Sequence, residues 1–154
     1  MFGDCHMHMV LDGVDFRKAM GQHRPRVSDE WVHQTLTAYK EHGVTYLRDG
    51  GDALGAAKRA AELSHEYGIE YRTPLFPICR KGRYGEFIGK AFSDFEEYRA
   101  LVDEVVAGGG DFIKIMISGL MDFDHFGDIL VVLYTSKDCI TTENLVILTA
   151  VINI

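Results

Sequence analysis

The segment Asp4-Cys5-His6-Met7-His8 places two imidazoles one residue apart. In an extended chain, residues two apart point to the same side, so His6 and His8 can present both rings to one metal ion. The same spacing also fits two hydrogen-bonded histidines at a surface turn. Lys114 stands among apolar neighbours in Phe112-Ile113-Lys114-Ile115-Met116. A lysine in a covered strand must be paired, neutralised or modified. Desolvation favours the neutral amine, which can add carbon dioxide to become a carbamate, a carboxylate-like oxygen ligand able to bridge two metal ions. The plainer alternative is a strand-edge lysine paired with Asp111. Arg48-Asp49, before Gly50-Gly51, reads as an ion pair with a structural role.

These residues fall at the ends of predicted strands. A repeated order of helix, glycine and strand runs through the chain. Ser28 caps a helix over 29–42, and Gly43 precedes a strand over 44–49. Asp52 caps an alanine-rich helix over 53–67 that stops at Gly68. A strand is predicted over 69–76, with Pro74 and Pro77 near its exit. Ser93-Asp94-Phe95-Glu96 has capping-box spacing and opens a helix to Ala107; Gly108-Gly109-Gly110 stops it before a strand over 111–117. The first strand would be the short apolar start Met1-Phe2. Such alternation predicts an α/β fold with a parallel sheet, open and doubly wound or closed as a (β/α)8 barrel, with the chemistry at the C-terminal strand ends.

The segment from Pro77 to Ala91 reads as a long loop made basic by Arg80, Lys81, Arg83 and Lys90, with Tyr84 and Phe87 adding aromatic contacts. Over an active-site mouth, Arg83 and Tyr84 are candidates for binding a substrate's anionic group; the plainer reading is a solvated surface loop. His125, with Asp122 and Asp124, fits a polar loop better than a ligand set. His23, His33, His42 and His65 fit ordinary solvated positions.

Composition narrows the partners. The chain has 154 residues, 47% of them hydrophobic, and a net charge of −7. It is long enough for a real core, and its acidic balance argues against nucleic acid or an anionic membrane as partner. Three widely spaced cysteines do not form a disulfide framework, and with no signal-peptide pattern at the N-terminus a cytoplasmic protein is expected. A small-molecule substrate fits best.

Taken together, Asp4-Cys5-His6-Met7-His8, Gly43-Val44-Thr45-Tyr46-Leu47-Arg48-Asp49-Gly50-Gly51 and Asp111-Phe112-Ile113-Lys114-Ile115-Met116-Ile117-Ser118-Gly119 resemble the amidohydrolase superfamily of metal-dependent hydrolases, in the family's order. The likeness is to its imidazolonepropionase-like and prolidase-like members, and it runs from the N-terminus to Gly127. It implies a partial (β/α)8 barrel of about four strand–helix units over 1–127. It also implies metal ligands at His6 and His8, a metal-bridging carbamate on Lys114, one or two divalent ions (zinc expected), and hydrolysis of amide or cyclic-amide C–N bonds by a metal-activated water. Phosphoesterases of the PHP or TatD type also begin with Asp-x-His-x-His or a close variant; Lys114, in place of an acidic ligand, favours the amidohydrolase.

The likeness stops at Gly127. All 16 glycines lie at or before that residue, and the last 27 residues hold none. The family's two later histidine ligands and its strand-eight aspartate, the general acid–base group, have no counterparts. Asp128 and Asp138 sit in other contexts, so the catalytic proton carrier is unassigned. The β-prone runs Ile129–Tyr134 and Leu145–Leu148 make 128–154 an atypical tail. A frameshifted or truncated reading frame is one expectation, testable in the coding DNA beyond codon 127; a strand pair closing a small open sheet is the other. A catalytically inactive half-barrel, paired with another copy or another half, is the competing functional expectation.

Overall fold

The computed structural model describes residues 2–116, with the backbone of 140–141, 144–145 and 152–153. The expectations for His125, Asp122, Asp124, Asp128, Asp138, Cys139 and the two apolar tail runs fall largely or wholly outside the described residues. Elements in chain order are β1 (Phe2–Met7), α1 (Phe16–Gly21), α2 (Asp29–Glu41), β2 (Val44–Asp49), α3 (Ala56–Leu63) with a 3-10 turn Ser64–Tyr67, β3 (Glu70–Arg72), β4 (Ile78–Arg80), β5 (Lys90–Phe92), α4 (Phe95–Ala107), β6 (Phe112–Ile113), β7 (Ile115–Met116), β8 (Ile140–Thr141), β9 (Asn144–Leu145) and β10 (Ile152–Asn153).

The helix starts follow from side-chain acceptors for the orphan amides of a first turn. Ser28 Oγ accepts from Trp31 N at 3.2 Å and opens α2. The N-cap of α4 is Asp94, one residue later than the sequence suggested. Asp94 accepts from Glu97 N at 2.9 Å, and Glu97 returns a carboxylate to Ser93 N at 2.6 Å. Asp52 does more. Its buried carboxylate accepts from the amides of Leu54, Gly55, Ala56 and Ala57 at 2.7–3.1 Å, binding the whole entry of α3. Asp52→Ala leaves those donors without a partner, so the expected loss is about 2 kcal/mol or more in urea unfolding.

Helices α2 and α3 cover the first sheet. Val32 and Leu36 of α2 and Ala56, Ala60 and Leu63 of α3 join Met7, Leu47 and Tyr71 from the strands in one buried cluster. The small alanines let α3 lie close. A second cluster gathers Phe76, Ile78, Val105 and Ile113, with Leu101 and Val102 of α4 packed on it.

The α/β alternation is present, but the partial (β/α)8 barrel is not. The described strands form two separate three-stranded parallel sheets, ordered β1-β2-β3 and β5-β4-β7, and no barrel closes among the described residues. The physical reason lies between Arg72 and Ile78. Pro74 has no N–H to donate, Leu75 takes φ of 65°, and Phe76 N turns back onto Pro74 O at 2.8 Å. The strand expected over 69–76 therefore stops after three residues, and the chain begins a second sheet at β4. β4 and β5 lie within and at the end of the segment read from sequence as a loop, and each pairs over only three residues.

The strand expected over 111–117 is likewise split at Lys114. β6 pairs antiparallel with β10, whereas β7 pairs with β4, and Lys114 O accepts from Ile78 N at 2.8 Å. β8 and β9 pair antiparallel with each other. Near the break, Asp111 bridges the sheets. Its N–H donates to Thr73 O and its carboxylate accepts from Thr73 N and Arg72 Nη1, all at 2.8 Å. No helix among the described residues is long and apolar enough to cross a membrane.

Candidate metal centre

His6, near the end of β1, and His8, just beyond it, face Lys114 at the break between β6 and β7. Lys114 Nζ lies 3.1 Å from His6 Nε2 and 3.5 Å from His8 Nε2, and the two imidazole centroids are 5.6 Å apart. Residues 106 and 108 positions apart in the chain thus meet at one point. The alternative pairing of Lys114 with Asp111 is not formed, because Arg72 and Thr73 occupy that carboxylate.

Two features hold this geometry. His8 Nδ1 lies 3.1 Å from the carbonyl of Gly51. A carbonyl only accepts, so Nδ1 carries the proton and Nε2 keeps its lone pair toward Lys114. A neighbouring backbone group that orients the imidazole in this way is the usual support of a metal-binding histidine. The second feature is an absent side chain. A Cβ on Gly50 would come within 2.5 Å of both His8 Nε2 and Lys114 Nζ, so a larger residue there would push at least one of these side chains out of the cluster. Gly51 also needs its lack of a Cβ: its φ is +79°, and a Cβ there would meet the backbone of Phe76 at 2.9 Å.

Asp49 ties the loops that carry these groups. It is buried, and its carboxylate accepts from Met9 N at 2.8 Å, from Gly51 N and from the Tyr71 hydroxyl. Met9 follows His8, and Gly51 supplies the carbonyl that orients it. The ion pair read from Arg48-Asp49 is replaced by this network; the Arg48 guanidinium lies 4.4 Å from the centre of the Phe112 ring. Burial pushes Asp49 up to about 6, against the pull of its three donors.

The electrostatics favour uncharged bases at the cluster. Burial, with Lys114 beside it, lowers His8 to about 4, while Lys114 and burial lower His6. Burial also lowers Lys114, with Arg48 adding to the effect and Asp49 opposing it. Neutral imidazoles and an amine of reduced basicity are the forms that bind a metal or add carbon dioxide. Two imidazole nitrogens and Lys114 fit a divalent ion if Lys114 supplies oxygen as a carbamate. No group of three or more His, Cys, Asp or Glu side chains suited to a metal occurs among the described residues.

The cluster opens into a cleft of about 1470 Å³ whose lining includes Asp4, Trp31, Tyr39, Tyr84 and Phe87. Tyr39 OH donates to Asp4 at 3.0 Å, and the Trp31 indole donates to Met9 O at 2.9 Å. Tyr84 therefore reaches the cleft, as its candidate role requires. Arg83 is exposed and lies outside the lining, and Lys90 is paired with Glu104. Sequence reasoning singled out neither Trp31 nor Tyr39 as a site residue, yet both line the cleft. It also took His23 for a solvated residue; His23 is buried against Trp31, and its Nδ1 accepts from Ser28 N at 3.4 Å.

Comparisons of the chain with protein-family models, curated proteins and solved structures found no match.

Proposed function

We propose that this protein is a metal-dependent hydrolase of amide or cyclic-amide C–N bonds, as its resemblance to the amidohydrolase superfamily implies. The observation that carries the reading is the convergence of His6, His8 and Lys114 at distances of 3.1 and 3.5 Å, beside Gly50, where a Cβ would crowd both His8 and Lys114. His6 and His8 would hold a divalent ion through Nε2, and Lys114 would complete the set as a carbamate. Carbamate formation joins the Nζ lone pair to the carbon of CO2 and releases one proton; the lowered basicity of Lys114 favours it. When bound, the ion supplies a water of lowered pKa and a Lewis-acid partner for the scissile carbonyl. The protein's own part is to fix the His8 tautomer through Gly51 O, to keep both imidazoles neutral, and to offer the cleft to the substrate.

The test is amine release from a panel of amides by zinc-loaded protein. The expected result is turnover that disappears on chelation, returns with zinc, and falls at least about 100-fold in His8→Ala. Turnover that survives both chelation and His8→Ala contradicts the proposal.

A further inference from the structure

We infer that the cleft takes amides carrying an aromatic side group, and that Phe87 and Tyr84 select for it. The inference rests on the hydrolase reading only in placing the scissile bond at His6, His8 and Lys114. Phe87 is 41% exposed although it lies between two anchored residues. Gly85 O accepts from Ile88 N at 3.1 Å and from Gly89 N at 2.7 Å, which closes the backbone into a fixed turn. Ile88 is buried in the main core, and its carbonyl accepts from Ala53 N at 2.7 Å. The turn is therefore set before any ligand arrives, and it holds an aromatic ring out toward solvent.

The neighbouring rings extend that surface. Tyr84 lies 5.4 Å from Phe87 between ring centres, and Phe16 packs edge-on to Phe87 at 5.9 Å while remaining 46% exposed. Val14, close by in sequence, is 91% exposed. Tyr84 and the exposed ring of Phe87 line the cleft, and Phe16 packs on Phe87; an exposed apolar surface of this kind marks a place where a ligand buries it. The ring spacings leave edges and faces available in the range that aromatic pairs prefer. Trp31 and Leu11 add apolar lining to the same cleft, so a ring entering beside Phe87 finds further apolar surface within it. The acidic lining residues Asp4 and Asp12 offer nothing to an anionic substituent, and Arg83 does not line the cleft.

Trp31 is the only tryptophan of the chain, and it lines the cleft, so its fluorescence reports occupancy directly. The experiment titrates metal-free full-length protein with N-acetyl-phenylalanine amide and N-acetyl-glycine amide, two neutral probes that differ by the benzyl side chain. The expected result is a saturable change in Trp31 emission, with the phenylalanine probe binding about tenfold more tightly. Phe87→Ala and Tyr84→Ala should each remove most of that preference, and Phe95→Ala, at an exposed ring on α4, should preserve it. Equal affinities for the two probes, a preference that survives Phe87→Ala, or no saturable signal overturns the inference. Zinc binding is measured separately on the same proteins. Failure to bind zinc with the ring preference intact removes the hydrolase reading alone; zinc binding without ring preference removes this inference alone.

Discussion

Gly50→Ala is expected to lower zinc affinity by about tenfold to a hundredfold, the range seen when groups that orient metal ligands are disturbed. The added methyl would stand within 2.5 Å of His8 Nε2 and Lys114 Nζ, so at least one of the two must leave its position. The backbone is not the cause of the loss, because Gly50 N still donates to Met7 O, 2.7 Å away in the native protein. Competition against a chelating dye measures the affinity, and urea unfolding reports the fold. Gly21→Ala is the control: Gly21 lies in α1, and a Cβ there meets nothing within 4 Å. An unchanged zinc affinity in Gly50→Ala would show that the cluster does not depend on this close approach.

The largest effect on stability is expected at Asp49. Asp49→Ala strands the amides of Met9 and Gly51 and the hydroxyl of Tyr71, and it opens a cavity beneath both loops. An expected loss of about 4 kcal/mol follows from several unpaired donors at about 1–3 kcal/mol each, reduced by partial relaxation. The pH dependence has a definite sign. The folded-state value of Asp49 is raised from 3.8 to about 6, so burial favours the neutral acid. The stability it contributes is full below about pH 4 and is lost as pH rises through about 6, amounting to about 3 kcal/mol. Asp49→Asn does not titrate. Urea unfolding between pH 4 and 7 should therefore show wild-type stability falling relative to Asp49→Asn by that order; a constant difference across the range contradicts the burial of Asp49.

Much of this site could be read from the chain because its signals are local. His6 and His8 share a side through simple strand geometry, and a lysine flanked by Ile113 and Ile115 announces its own desolvation. Ser28 and Gly43 marked helix boundaries for the same reason: a cap or a stop acts within a few residues. Asp52 holds the entry of α3, but that helix begins at Ala56 with Gly55 at its N-cap, not at residue 53. The barrel failed because closure is not local. It depends on whether β3 continues beyond Thr73, and there a missing N–H at Pro74 and a left-handed Leu75 outweigh the apolar run that followed. The partners of Asp49 were also hidden. Met9, Gly51 and Tyr71 come from three elements, and nothing in Arg48-Asp49 tells a buried acceptor of hydrogen bonds from half of an ion pair. Trp31 and Tyr39 escaped notice because nothing in a helix's own sequence shows that it borders a cleft.

The most direct test of the central claim is zinc calorimetry on the full chain, with wild type and the His6→Ala/His8→Ala double variant compared in bicarbonate buffer. The predicted result is saturable binding of one or two zinc ions per wild-type chain and no saturable binding to the double variant, with both proteins equally folded by circular dichroism. Zinc uptake identical in the two proteins, or none in wild type, contradicts a metal centre at His6, His8 and Lys114.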